Sequence, residues 1–310
     1  MNVRRFRLLA SAAAVLACLS RPAAADSPWG LQVDSKGNIY VTTEDLGLSR
    51  LWKVGADGKK TLLLQGVYLR EVRLDRDETP LIIRVDRGFR SSELLKVGAR
   101  TPIARLESPA SRPGSSYWGQ FVQGDNGVFY FGADQTLMAV RPGLPPSLLA
   151  GGRHGYEDGR GKDATFNSIT GMAWGPDHAL YVADVHAVRR VTPGGNVTTL
   201  TRDLMKVVPG DDTRGHPPNA RGIVVADDGT VYVAVDAYLR VSKLTPDGKL
   251  SVAARTADRW EPQGVALHQG KLYVSELKWD ITRFIGPRIR VFEPDGSSKV
   301  VADLTPEGPR

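Results

Sequence analysis

Three sets of side chains in this sequence could do chemistry. After each of six short aliphatic–aromatic runs a carboxylate recurs: Glu44, Asp86, Asp134, Asp184, Asp236 and Glu276. Beside the head of each repeating unit stands a second set, Trp29, Arg70, Trp118, Thr170, Arg221 and Gln263. Trp offers a flat face for sugar or aromatic planes, and Arg grips carboxylate or phosphate through two parallel N–H groups. The third set is His154, His186 and His216. With Asp184, or with another carboxylate such as Glu261, these could ligate zinc or calcium for a metal-assisted reaction. Each set also has a plainer reading. A carboxylate at a strand end accepts hydrogen bonds from loop amides or pairs with an arginine such as Arg189 or Arg240. The tryptophans could plug an axis, and a loop histidine is commonly solvated.

The elements that must position these residues come from a repeat. The clearest unit runs from Leu149 to Leu200. A glycine-rich loop leads to Phe166-Asn167-Ser168, and four strand-like runs follow, separated by turns such as Gly175-Pro176-Asp177-His178 and Thr192-Pro193-Gly194-Gly195. The same order recurs in units spanning 28–66, 67–108 and 117–151, and in two more marked by Arg221-Gly222 to Pro246-Asp247-Gly248 and by Gln263-Gly264 to Pro294-Asp295-Gly296, with leading glycines at 30, 119, 171, 222 and 264. The unit at 67–108 has no such glycine. Four short strands joined by Asp-Gly and Pro-Asp-Gly turns make one antiparallel sheet. Such a sheet has apolar residues on both faces and is stable only if neighbours cover it. The expectation is therefore an all-β, six-bladed β-propeller of four-stranded antiparallel blades, occupying 26–310 as a single domain. Blade one begins with its own inner strand and blade six ends with its own outer one. Ring closure is thus expected to rest on packing between them. The second and third residue sets should gather on the loop-rich face, with His178 and His268 on the opposite one.

Residues 1–25 read as a secretory signal peptide: Arg4, Arg5 and Arg7, an apolar stretch from Leu8 to Leu19, then Ala23-Ala24-Ala25. The expected location is periplasmic or extracellular. Cys18 is the one cysteine, and lipid anchoring through it is the alternative. The formal charge is +7 from 41 basic and 34 acidic residues. Four arginines fall within 1–25, so the remainder carries 37 minus 34, or +3. That argues against a nucleic-acid partner. No transmembrane span is expected after residue 25, and the chain is expected to be a monomer.

Gly155-Tyr156-Glu157-Asp158-Gly159, Phe166-Asn167 and Tyr181-Val182-Ala183-Asp184 resemble the NHL repeat. That resemblance implies a binding platform, here for a protein, a glycan or a small anionic ligand, with no cofactor. Related six-bladed propellers are enzymes. Gluconolactonase-type lactonases set a Glu and Asn residues around a central Ca²⁺, and the peptide-amidating lyase sets zinc-binding His before its inner strands. At the matching positions this chain has Trp29, Arg70, Trp118, Thr170, Arg221 and Gln263, so neither metal set is carried over. Streptogramin lyases have a similar repeat. Two expectations follow: a binding scaffold at the loop-rich face, or a metal-assisted lyase or hydrolase, lactonase-like or streptogramin-lyase-like, with Ca or Zn.

Overall fold

The computed structural model describes residues 30–45, 48–88, 90–107, 119–141, 143–212, 215–279 and 284–305. The expected signal peptide, Cys18, Trp29 and Trp118 lie outside them. Six antiparallel sheets follow one another along the chain, and the four blade strands of each pair in sequence order. From the inner strand outward, blade one comprises Leu31–Val33, Ile39–Asp45, Leu48–Val54 and Lys60–Gly66. Blade two comprises Leu69–Leu74, Pro80–Val85, Ser91–Lys96 and Ala104–Glu107; blade three, Gln120–Gln123, Phe129–Ala133, Thr136–Val140 and Ser147–Gly151. Blade four comprises Ile169–Trp174, Leu180–Asp184, Ala187–Val191 and Asn196–Thr201, and blade five Ala220–Val225, Val231–Val235, Arg240–Leu244 and Leu250–Arg255. Blade six comprises Trp260–His268, Lys271–Trp279, Phe284–Phe292 and Ser298–Asp303. One 3-10 turn, Gly161–Asp163, is the helical content among the described residues. No helix there is long and apolar enough to cross a membrane.

The ring is held by what lies between the sheets. Buried apolar side chains fall into six clusters among the described residues, and each joins neighbouring blades. Tyr40 and Leu51 of blade one meet Leu69, Val72 and Ile82 of blade two. Ala234 and Val241 of blade five meet Val265, Leu272 and Val274 of blade six. The last cluster closes the circle: Leu31, Ile39, Val41 and Val54 pack on Ala266, Ile289, Ala302 and Leu304. Lys60 Nζ adds a hydrogen bond to the Asp303 carbonyl across the same seam. Among the described residues no strand is exchanged between the termini, and apolar burial joins blades one and six, at roughly 25 cal/mol per Å².

Glycine at the head of the inner strand is required by close approach. A Cβ on Gly171 would lie 2.3 Å from the Arg221 carbonyl oxygen, and one on Gly222 would lie 2.7 Å from that of Gln263. In both cases the obstacle is the next blade's backbone. Gly171→Ala is expected to destabilise the protein by at least about 1–3 kcal/mol, the usual cost of overpacking. Urea denaturation would measure it; an unchanged midpoint would show that the blades can slide apart.

Two features depart from the regular pattern. Blade four has a fifth strand, Gly159–Arg160, paired to its outer strand, so the glycine-rich loop covers a sheet edge that would otherwise be open. Blade six has three strands of nine residues each, with pairing continued to Trp279↔Phe284. Its second and third strands therefore form a hairpin that extends past the ring at the loop-rich end.

Candidate functional site

Side chains at the loop-rich end are aimed by irregularities in the inner strands. Register breaks fall at Leu69/Val72, Ile169/Gly171, Ala220/Ile223 and Pro262/Gly264. An inserted residue bends the strand and turns its side chain aside. Arg70, Thr170, Arg221 and Gln263 sit in these breaks. Arg70 reaches back to Glu44 of blade one, Nη1 to Oε2 3.3 Å. Thr170 Oγ1 donates to the Ala183 carbonyl at 3.2 Å. Arg221 Nε donates to Asp236 Oδ2 at 2.7 Å. Gln263 is buried, 3% exposed, and its Oε1 has no partner in the structure. Both arginines of this set are therefore ion-paired. Blade three also shifts by one residue. Gly132 pairs with Gln120 as Ala183 pairs with Gly171, so the position equivalent to Thr170 is Gly119 and not Trp118.

Blade two departs from the others here. Glu71 stands where blades one, four, five and six carry glycine, and its Oε1 lies 2.9 Å from Arg73 Nη2. Arg73 reaches blades three and four, donating to the carbonyls of Phe121 at 3.3 Å and Met172 at 2.6 Å. Burial pushes the Glu71 carboxyl up, and Arg73 opposes that shift. The residues expected as a plug were tryptophans, which lie outside the described residues; among those described, this ion pair links blades two, three and four.

The strand-end carboxylates divide into two groups. Asp86 accepts from the amides of Arg90 and Ser91. Asp184 is fully buried; its Oδ1 accepts from the amides of Asn167 and Ser168, both at 2.8 Å, and its Oδ2 from Arg189 at 3.0 Å. Asp134 lies at a backbone corner with φ 47°, where its carbonyl accepts from the Ile169 amide. These are the structural roles of the repeat. Arg240, expected beside such a carboxylate, pairs instead with Asp211 and donates to the carbonyls of Leu204 and Lys206. Blades five and six break the pattern. Asp236 takes its arginine from the inner strand, and Glu276 holds two, Arg288 Nε at 2.5 Å and Arg290 Nε at 2.9 Å. Burial raises the Glu276 carboxyl against both guanidinium groups. Arg288 also stacks on Trp260, 3.8 Å from the ring centroid.

The histidine set does not converge. His154 and His186 are exposed in separate loops. Asp184 has both oxygens engaged below the surface. Among the described residues no three His, Cys, Asp or Glu side chains come together to hold a metal ion, so the expected set of His154, His186, His216 and Asp184 is not assembled. His216 has a different setting. Its Nε2 lies 3.1 Å from Glu261 Oε1 of the extended blade-six strand, and its Nδ1 2.8 Å from the Pro217 carbonyl. The hydrogen bond to Glu261 holds the imidazole proton, and with Pro217 and the nearby Asp236 raises the pKa to about 9. The imidazole is 45% exposed and Glu261 20%. The pair is part-exposed at the loop-rich end, with the Arg221–Asp236 ion pair on the neighbouring strand.

No family model matches the chain, and no curated protein matches it either. Many solved structures share its fold. Virginiamycin B lyase from Staphylococcus aureus superposes with a TM-score of 0.56 at 15% identity, covering 90% of this chain and 85% of that one. Regucalcin, a calcium-binding protein from Agrobacterium tumefaciens, gives 0.57 at 15%, covering 83% and 84%. A gluconolactonase from Xanthomonas campestris gives 0.56 at 15%, covering 81% and 84%.

Proposed function

We propose that the protein is an enzyme that breaks a C–O bond of an ester or lactone, a lyase or hydrolase working by proton transfer at the loop-rich mouth. The observation that carries this reading is the His216–Glu261 pair at 3.1 Å, half-open to solvent where the repeat is rewired. Six-bladed neighbours that are a lyase and a gluconolactonase support it over the binding-scaffold expectation.

Protonated His216 supplies the acid and Glu261 the base. In hydrolysis Glu261 takes a proton from water, the water oxygen bonds to the acyl carbon, and the acyl C–O bond breaks. The departing alkoxide receives the Nε2 proton. In elimination Glu261 takes a C–H proton, that electron pair forms the double bond, and the leaving oxygen receives the Nε2 proton. In both, neutral His216 then recovers a proton from protonated Glu261 across their own contact, and the pair is reset. Groups placed this way typically supply about 10²–10⁴-fold of rate.

The test is a panel of five- and six-membered lactones and cyclic depsipeptides, read by acid release and by mass. Hydrolysis adds the mass of water; elimination leaves the mass of a ring-opened product unchanged. Turnover that Glu261→Gln removes supports the reading. Binding of a panel member with no turnover by the native chain would return the protein to the scaffold reading. Activity unaffected in Glu261→Gln would place the chemistry elsewhere.

A further inference from the structure

We infer that Asn219, itself fixed by Asp236, is the residue that positions His216 as a proton donor, an inference that rests on the acid–base reading above. The connection is continuous. Asp236 Oδ1 accepts from the Asn219 amide at 2.8 Å, and the Asp236 amide donates back to the Asn219 carbonyl at 3.2 Å. Asp236 is fully buried and further held by the Ala237 amide at 2.6 Å and by Arg221. From this anchor Asn219 Nδ2 donates to the Pro217 carbonyl at 3.2 Å. That same carbonyl accepts from His216 Nδ1 at 2.8 Å. The protonated ring is thus gripped on both nitrogens, with Pro217 behind it and Glu261 in front. A neutral ring would present a lone pair to one of these acceptors, so the arrangement favours the charged form.

The repeat supplies an internal control. Blade four has the same module: the Asn167 amide donates to Asp184 Oδ1 at 2.8 Å. There the Asn side chain donates to the Tyr156 hydroxyl at 2.8 Å and reaches no histidine. In blade five the equivalent amide group has been turned to the segment that carries His216. Two proline rings, Pro217 and Pro218, limit that segment's freedom, so one hydrogen bond on the Pro217 carbonyl suffices to set the ring's direction.

The experiment is an NMR titration of the His216 imidazole in the full chain, compared with Asn219→Ala and Asn167→Ala. The native midpoint is expected near 9. In Asn219→Ala it should fall by about one pH unit or more towards the ordinary histidine value. Asn167→Ala should lower thermal stability by a similar amount while leaving the His216 midpoint in place. With a substrate from the panel, Asn219→Ala should lower kcat about tenfold with KM within about twofold, the pattern of an interaction made in the transition state. An Asn219→Ala midpoint equal to the native one overturns the inference. If that variant does not fold, Asn219→Leu keeps the volume without a donor, and a native midpoint there overturns it equally. The titration needs no turnover. A shifted midpoint in a chain that cleaves nothing leaves the positioning intact and removes the enzyme reading; turnover with an unshifted midpoint does the reverse.

Discussion

Arg189→Met is expected to cost about 3–5 kcal/mol of stability, the usual penalty for stranding one partner of a buried ion pair. Arg189 is fully buried. Its Nη1 donates to Asp184 Oδ2 and the Thr165 carbonyl, both at 3.0 Å, and its Nη2 to the Glu157 carbonyl at 3.0 Å and Asp158 Oδ1 at 2.9 Å. Its guanidinium also lies 5.1 Å from the Phe166 ring centroid. One side chain thus ties the blade-four sheet to the glycine-rich loop that covers its edge. Methionine keeps the stem's volume and removes every donor, so packing loss is a minor part of the effect. Burial already raises the Asp184 carboxyl, and Arg189 is among the groups opposing that rise. Without Arg189 the rise grows. A folded-state pKa above the unfolded value means that the folded protein binds the proton more tightly. Stability is then greatest below the unfolded carboxylate pKa and is lost as pH rises through the folded one. The deficit of Arg189→Met should therefore be larger at pH 7 than at pH 4, and Asp184→Asn added to it should restore part of the loss at pH 7. Urea denaturation at both pH values measures this. A loss under about 1 kcal/mol would show that water replaces the guanidinium.

The blades were legible because turns are local. Asp-Gly and Pro-Asp-Gly signals lie within a few residues of the strands they connect, and all six units fold where those signals put them. The site was less legible because its contacts are long-range. His216 and Glu261 are 45 residues apart and meet only after blade five has turned onto blade six. The missing glycine of blade two was visible in the sequence, but its meaning was not: Glu71 in that place pairs with Arg73, which reaches blades three and four. Trp118 was misaligned because it adjoins a glycine, and only strand register shows that Gln120 holds the leading position. The length of the blade-six strands has no turn signal to mark it: Lys278 pairs with Trp260 and Arg288 with Glu276, well beyond the apolar runs that identify the blade. Arg240 was assigned to the wrong carboxylate for a related reason: Asp211 lies in a loop that the repeat does not describe.

Removing His216 tests whether the rewired end of the ring is where the chemistry occurs. His216→Ala is expected to lower kcat by about 10²–10⁴-fold on any substrate that the native chain cleaves. Stability should change little at neutral pH, because the ring is 45% exposed and exposed pairs contribute no more than about 1 kcal/mol. The pH dependence separates an acid from a base. The His216 pKa is raised from 6.5 to about 9, chiefly by the hydrogen bond to Glu261. A donor with that pKa is loaded throughout the neutral range, so native kcat should hold from pH 7 to 8.5 and fall above about 9. A histidine acting as the initial base would give the opposite limb, rising through 9. The same shift fixes a stability term: it is fully present below pH 6.5, and it fades as pH rises through 9, because the folded form alone retains the proton in that window. His216→Ala should lack this slope while Asn167→Ala retains it. A native rate that climbs between pH 8 and 10, or a His216→Ala rate within threefold of native, would remove His216 from the proton donor's place and with it the function proposed for this face.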